Sequence, residues 1–305
     1  MPKDALHLLL GDGRVGQAII TSQALDLVVF TGSLKTAKSV HNSLSNKPGK
    51  IVPLIAETGG LNSMVVDSSA LIERACDDIM RSAFNSAGQR CSALRLLLVH
   101  ETIYEELILM LKGMMSELIV GNPSNASVDM GPIISVEAVQ ELYDYLDKPD
   151  SERLAIFQPQ APDEHKKQWF LPTLIELKSI NTLNEEKFGP ILHVLKFSEK
   201  TLDSHLEQIT AKGFGLTFGI HTRIDAKAIH ASKLVSAGNT YINRDIIGAV
   251  VESQPFGGKN LSGTGFKAGG PNYLMQFTDE RTISINTVAI GGNAELLNQA
   301  SEDAP

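Results

Sequence analysis

Apolar runs of strand length alternate with segments of helical period through most of this chain, and glycine-bearing turns mark the changes. Residues 6–10 are one such run, followed by Gly11, Gly13 and Gly16 in a GxGxxG spacing and then a helix-compatible stretch. Residues 28–30 form a second run ending in Thr31-Gly32-Ser33, after which Leu34, Ala37, Val40 and Leu44 share one helical face. Residues 51–56 form a third, ending at Glu57-Thr58-Gly59-Gly60. Parallel strands need a crossover between them, and a helix is the usual one, so this rhythm predicts an α/β fold with a parallel-rich sheet.

The pattern continues downstream. Ile72, Cys76, Ile79, Ala83 and Phe84 recur at steps of three and four, which predicts an amphipathic helix over 73–87, stopped near Gly88. A strand follows at 94–99. Thr102 with Glu105 has the spelling of a capping box and opens a helix carrying Ile103, Leu107, Leu111, Met114 and Leu118, broken by Gly121-Asn122-Pro123-Ser124. Strands are expected at 191–197, 215–221 and 240–243, separated by helices at about 202–211 and 226–237, with Gly238 placed as a helix C-terminal glycine. The polar, acidic stretch 298–305 reads as a frayed tail.

Composition narrows the class. The chain's 305 residues, 43% of them hydrophobic, have room for two compact units, since domains run to about 150 residues. Its 27 basic against 35 acidic residues argue against a nucleic-acid partner, because phosphate neutralisation needs clustered Lys and Arg. The two cysteines cannot make a disulfide framework, and neither has a metal-ligand spacing. That usage points to a cytoplasmic chain. The longest apolar runs, such as 246–251, are strand-sized, and no transmembrane segment or signal peptide is expected.

Several positions could carry chemistry. The GxGxxG stretch lacks a matching acidic residue some twenty positions on, Asp26 being too early, so it serves equally as a phosphate-facing turn and as an ordinary strand-to-helix turn. Thr31-Gly32-Ser33 could hold a phosphate at a helix N-terminus, although taken alone it reads first as a helix N-cap. Cys76 lies in an apolar helical stripe and reads as packing. Cys91, in the loop Gly88-Gln89-Arg90-Cys91-Ser92, has the setting a thiolate nucleophile needs: an approachable turn, nearby amides and a positive neighbour.

Four motifs occur in order at wide spacing: AETGGLN from Ala56, FNSAGQRCS from Phe84, EEKFGP from Glu185, and PFGG from Pro255 with Ser262-Gly263. Together, across residues 8–277, they resemble the aldehyde dehydrogenase superfamily. The resemblance implies an aldehyde-dehydrogenase-like catalytic domain, a parallel-rich sheet with helices on both faces, preceded by part of a Rossmann-type NAD domain. It implies that Cys91 is the nucleophile that adds to an aldehyde carbonyl, and that the resulting hemithioacetal is oxidised to a thioester. Glu57 is implied as general base for the hydrolytic water; without the other motifs it would read as a solvated strand-end acid. Ser33, with Thr31 and Gly32, is implied at the NAD pyrophosphate, and Thr58 is implied in cofactor binding. Glu186 is implied at the nicotinamide ribose with Phe188 packed beside it, where the bland readings are a helix-end charge and a core aromatic.

The loop from Ser262 to Pro271 (SGTGFKAGGP) is similar to that of the glutamate-semialdehyde dehydrogenases, also called 1-pyrroline-5-carboxylate dehydrogenases, and residues 281–296 strengthen the likeness. That likeness implies substrate contacts from Ser92, Gly269 and Gly270, with Phe84 and Phe277 sandwiching the aliphatic chain; the plain alternative is a glycine-rich turn with two core phenylalanines. It also implies NAD-dependent oxidation in proline catabolism. In bifunctional relatives FAD belongs to a proline dehydrogenase domain, which has no counterpart here. Complete members carry, upstream, an asparagine for the oxyanion, a lysine for the adenine ribose and the first strands of the cofactor domain. The expected organisation is therefore a cofactor-domain remnant at 1–58, a thiol-bearing catalytic domain at 59–270 and a C-terminal segment at 271–305. That segment includes a candidate oligomerisation strand at 282–290, as in a homo-oligomer. Alternatives left open are a different aldehyde, a folded piece without activity, and a thiol hydrolase using Cys91 with a histidine.

Overall fold

The strand, turn and helix rhythm resolves into two sheets of unequal size in the computed structural model, which describes residues 2–160, 168–250 and 252–286. Gly13–Thr21 (α1), Val28–Thr31 (β1), Leu34–Ser45 (α2) and Leu54–Glu57 (β2) come first. β1 and β2 pair in parallel, α2 crosses between them, and α1 packs on α2. The apolar face read from the sequence buries Val40 and Leu44 with Val52, against Ile20, Leu25, Val28 and Leu54. This small cluster is separate from the main core.

Then follow Ser63–Val66 (β3), Ile72–Phe84 (α3), Leu96–His100 (β4), Tyr104–Glu117 (α4), Val136–Asp147 (α5), Arg153–Phe157 (β5) and Thr173–Leu177 (β6). Ile191–Phe197 (β7), Leu202–Ala211 (α6), Thr217–His221 (β8), Asp225–Leu234 (α7) and Asn239–Ile242 (β9) complete the large sheet, a seven-stranded array in the order β5-β6-β7-β4-β3-β8-β9. Every neighbouring pair is parallel except β5 with β6. β3, β4 and β8 are buried along their whole length, as a sheet covered on both faces requires. The chain leaves β3 towards β4 and leaves β8 in the opposite direction towards β9. Right-handed crossovers then set α3, which packs on α4, and α7, which packs on α6, on opposite faces.

Ligands of open parallel sheets usually sit beyond the carboxyl ends of the strands where the order reverses, here between β3 and β8. That place is closed. Asp67, buried just past β3, accepts from Ser69 Oγ at 2.6 Å, from Thr222 Oγ1 at 3.1 Å and from Lys227 Nζ at 2.8 Å. The polar segments 57–62, 88–95, 186–190 and 256–263 gather instead at the amino ends of the strands.

Some local expectations change. Residues 6–10 form no strand, and Leu6, Leu8, Leu9 and Leu10 are exposed. The capping box does not form: α4 begins at Tyr104, and the Thr102 hydroxyl lies 2.9 Å from His100 Nδ1 instead. Gly238 does not end a helix, because α7 stops at Leu234; a Cβ at 238 would run into the Gly257 carbonyl oxygen, so that glycine serves a close backbone approach. Helix α3 ends at Phe84, short of residue 87. In the C-terminal segment Tyr273–Phe277 makes a 3-10 turn, and 281–286 hold no strand. Val251, residues 287–290 of the candidate pairing strand, the rest of the 281–296 stretch and the 298–305 tail lie outside the described residues. Among the described residues no helix is long and apolar enough to cross a membrane, and no group of His, Cys, Asp or Glu could hold a metal ion.

Candidate active site

Helix α3 ends one turn before Cys91, and the link is strained. Ser86, Ala87 and Gly88 have φ of 55°, 54° and 63°, three successive residues in the left-handed region. Each non-glycine there costs about 1 kcal/mol or more, and such strain persists only where surroundings impose it. They do so here. Gln89 Nε2 donates to the Pro132 carbonyl at 3.1 Å while its Oε1 accepts from Ile134 N–H at 2.8 Å. A Cβ on Gly88 would strike the Gly189 carbonyl, so the turn closes directly on the segment entering β7.

Asn62, at the entrance to β3, fixes the other side of the loop. Its Nδ2 donates to the Cys91 carbonyl at 2.7 Å and the Ala93 carbonyl at 2.9 Å, and its Oδ1 accepts from Thr217 N–H at 3.1 Å. Cys91 itself is half-buried. Burial pushes its thiol up, as do Glu186 and Glu57, while the N–H groups of Ser92 and of Cys91 pull it back down. The positive neighbour in sequence, Arg90, is exposed and turns away, its Nε donating to Ser86 Oγ at 3.1 Å. Cys76 is buried in α3, its thiol pushed up to about 12, chiefly by burial, and packs in the main core.

Glu57 closes β2. The Gly258 N–H donates to its Oε2 at 2.8 Å, yet burial dominates and raises the carboxyl to about 7 against that bond and the charge of Lys267. Its backbone is tied on both sides: the Gly32 N–H donates to the Glu57 carbonyl at 3.1 Å, and the Thr58 N–H donates to the Ser262 carbonyl at 2.9 Å. The exposed Thr31-Gly32-Ser33 turn therefore sits beside Glu57, with Ser33 Oγ capping α2 by accepting from Thr36 N–H at 3.2 Å. The Thr58 hydroxyl donates to the Leu261 carbonyl at 2.6 Å and is buried.

Glu186 faces the same thiol from the loop before β7. Its Oε1 accepts from Arg95 Nη2 at 2.9 Å and Nε at 3.2 Å, and its carboxylate lies against the Gly59-Gly60 turn. Burial pushes this carboxyl up, and Arg95 with the Gly60 N–H pulls it back. Phe188 is 47% exposed, its ring 5.5 Å from the Arg95 guanidinium carbon.

The proposed substrate contacts are spread more widely. Ser92 is buried directly after the thiol. Phe84 is buried in a groove with Met80, Leu118 and Met130, whereas Phe277 is half-exposed and its ring meets Tyr273. Gly269 adopts φ 75° and Gly270 donates its N–H to the Lys267 carbonyl at 3.0 Å; Gly270 borders a cavity of about 320 Å³ with Pro255, Phe266 and Asn272. Thus the structure brings Glu57 and Glu186 into electrostatic range of Cys91, with Thr58 and the Thr31–Ser33 turn adjoining Glu57. Sequence reasoning missed the positioning by Asn62 and Arg95. Asn62 closes the AETGGLN motif, which is the only local hint.

A thiol that follows a strained turn, in electrostatic range of a carboxyl that burial raises to about 7, can form and then hydrolyse a covalent thioester. Known proteins resemble this chain in sequence and fold. The chain is 43% identical over 291 residues to the bifunctional protein PutA of Klebsiella aerogenes, covering 92% of this chain and 22% of that protein. It is 32% identical over 290 residues to the 1-pyrroline-5-carboxylate dehydrogenase of Bacillus subtilis, covering 93% of this chain and 56% of that protein. A crystal structure of bifunctional proline utilization A (PutA) superposes with a TM-score of 0.89 at 47% identity, over 95% of this chain and 30% of that one. The Thermus 1-pyrroline-5-carboxylate dehydrogenase with bound NAD superposes at 0.81 and 29% identity, over 88% of this chain and 52% of that one. The chain thus spans 22% of the PutA relative and about half of the shorter ones. With the model of the Aldehyde dehydrogenase family matching residues 1–283 as well, this chain belongs to the aldehyde dehydrogenase family.

Proposed function

We propose that the protein oxidises glutamate γ-semialdehyde, the open form of 1-pyrroline-5-carboxylate, to glutamate in proline catabolism, with NAD as oxidant. The observation that carries this reading is the Glu57 carboxyl raised to about 7 beside the Cys91 thiol, the pairing that thioester hydrolysis at neutral pH needs. The Cys91 sulfur adds to the aldehyde carbon, and the N–H of Cys91 faces the oxygen on which charge develops. Oxidation leaves a thioester on Cys91. Glu57 then takes a proton from water, whose oxygen attacks the acyl carbon and releases the carboxylate and the thiol.

NAD would supply the two-electron acceptor. The residues present fit it: the exposed Thr31-Gly32-Ser33 turn opens α2 beside Glu57, where a helix N-terminus suits a pyrophosphate, with Thr58 adjoining. Glu186 and Phe188 are assigned to the nicotinamide ribose side. Ser92, Gly269 and Gly270 are assigned to the substrate carboxylate, and Phe84 and Phe277 to its aliphatic chain. The separate small core supports a cofactor-domain portion at 1–58, a catalytic domain at 59–270 and a C-terminal segment at 271–305 whose exposed Ile283 and Ile285 suit pairing in a homo-oligomer. A cytoplasmic location accords with this chemistry. Cys91→Ser in the intact protein is expected to abolish NADH formation from glutamate semialdehyde while the thermal melt is unchanged. Near-normal turnover in that variant overturns the assignment.

A further inference from the structure

The Cys91 loop and the Glu186 loop enter different strands, and one side chain spans them. Arg95, at the mouth of β4, is 1% exposed and stands among the largest fully buried side chains. Its Nη1 donates to the Gly189 carbonyl at 2.9 Å and its Nη2 to the Arg90 carbonyl at 3.3 Å, while Nη2 and Nε share Glu186 Oε1. The Arg95 carbonyl in turn accepts from His193 Nδ1 at 3.0 Å, which anchors the residue from β7. That histidine is held neutral, lowered to about 4 mainly by burial, and its Nε2 accepts from Tyr145 at 2.8 Å. Burying a guanidinium is costly, and an apolar side chain of similar volume would fill the space at lower cost.

The charges around the thiol give the guanidinium a use. Glu186 and Glu57 face Cys91 and oppose its ionisation, and the N–H groups of Ser92 and Cys91 favour it. Lys267 faces Glu57, and Arg90 points to solvent. Arg95 is the buried cation that interacts with both Glu186 and Cys91. We propose that Arg95 is a positioning residue for Cys91: its guanidinium clamps the Glu186 carboxylate and the Arg90 and Gly189 carbonyls, so that the two loops keep their spacing and the carboxylate's charge is offset beside the nucleophile. The proposal deepens the reading of Cys91 as the nucleophile and rests on it.

Alkylation of the folded protein by iodoacetamide, followed across pH with the modified thiol identified by peptide mass, tests it without aldehyde or NAD. Arg95→Met is expected to slow Cys91 alkylation at pH 7 about tenfold, which corresponds to one unit in the midpoint. Glu186→Gln is expected to speed it, and Arg95→Lys to recover most of the wild-type profile. Because Arg95→Met leaves a buried carboxylate unpaired, folding is checked by circular dichroism, and Glu186→Gln against Arg95→Met/Glu186→Gln repeats the comparison with no unpaired carboxylate. The double variant is expected to react more slowly than Glu186→Gln alone. Wild-type kinetics in a folded Arg95→Met protein, or equal profiles for that second pair, overturn the proposal. Retained NADH formation in Cys91→Ser instead overturns the assigned reaction and leaves the alkylation comparison standing.

Discussion

Glu57 illustrates how position sets reactivity at the scale of one residue. Its ordinary value is 4.5, and burial lifts it to about 7 although Gly258 and Lys267 favour the charged form. Only the carboxylate accepts a proton, so thioester hydrolysis is expected to rise with pH through about 7. Glu57→Gln should release NADH in a single burst with steady turnover reduced by about 10²- to 10⁴-fold, measured by stopped-flow absorbance. Linkage fixes the sign for stability: the folded state binds this proton more tightly than the unfolded chain, so stability falls as pH rises from 4.5 to 7. Because Glu57 keeps some solvent contact, about 1 to 2 kcal/mol is the expected size, and Glu57→Gln should flatten that slope in urea titrations. Cys91 and Glu57 were both legible in the motif order. Arg95 was not, because an arginine inside LRLLLV reads as a strand-edge charge until its partner Glu186, 91 positions away, is seen to fold against it. The same holds for the charge near the thiol: sequence adjacency pointed to Arg90, whose side chain leaves the site.

At the scale of elements, two glycines have opposite roles. Gly16 lies in the exposed helix α1 with open space where a Cβ would go, and Gly238 faces the Gly257 carbonyl. Gly16→Ala is expected to stabilise by about 0.5 to 1 kcal/mol through helix propensity, whereas Gly238→Ala should cost more than about 2 kcal/mol by forcing two backbones apart. Thermal melts of the two variants check the contrast, and a neutral Gly238→Ala would falsify the close-approach account. Periodicity located α2, α3, α4, α6 and α7, the inner strands β4, β7 and β8, and the edge strand β9. It missed β3, four residues long and directly after a glycine turn, and it missed α5, β5 and β6. β5 is an edge strand with half-exposed or exposed side chains, so its burial pattern carries no alternation to read. Residues 6–10 misled for the converse reason: an apolar run defines a strand only when a neighbour pairs with it.

The whole molecule places its chemistry on the less usual edge of its sheet. With the carboxyl-end crevice closed by Asp67, Ser69, Thr222 and Lys227, the amino ends of β3, β4, β7 and β8 hold the loops of the candidate site, and the small sheet delivers Glu57 to them from outside. This creates a problem of unequal stability. A two-stranded sheet over the small core of Val40, Leu44 and Val52 has little to resist opening, while β3, β4 and β8 of the large sheet are buried along their whole length. Glu57 escapes that weakness because the 261–264 segment ties its strand to the larger body. Ala56 N–H donates to Thr264 Oγ1 at 2.8 Å, Thr264 N–H donates to the Ala56 carbonyl at 2.9 Å, and Thr58 N–H donates to Ser262. Hydrogen exchange is therefore expected to divide β1 from β2: amides of Val29 to Thr31 should exchange about a hundredfold faster than those of β4, with Ala56 and Thr58 in the slow class. Thr264→Val removes one of these ties and should move Ala56 into the fast class without changing β4. Exchange of β1 as slow as that of β4 would mean that the small sheet opens only with the whole protein, and that the 261–264 tie is not what keeps Glu57 beside Cys91.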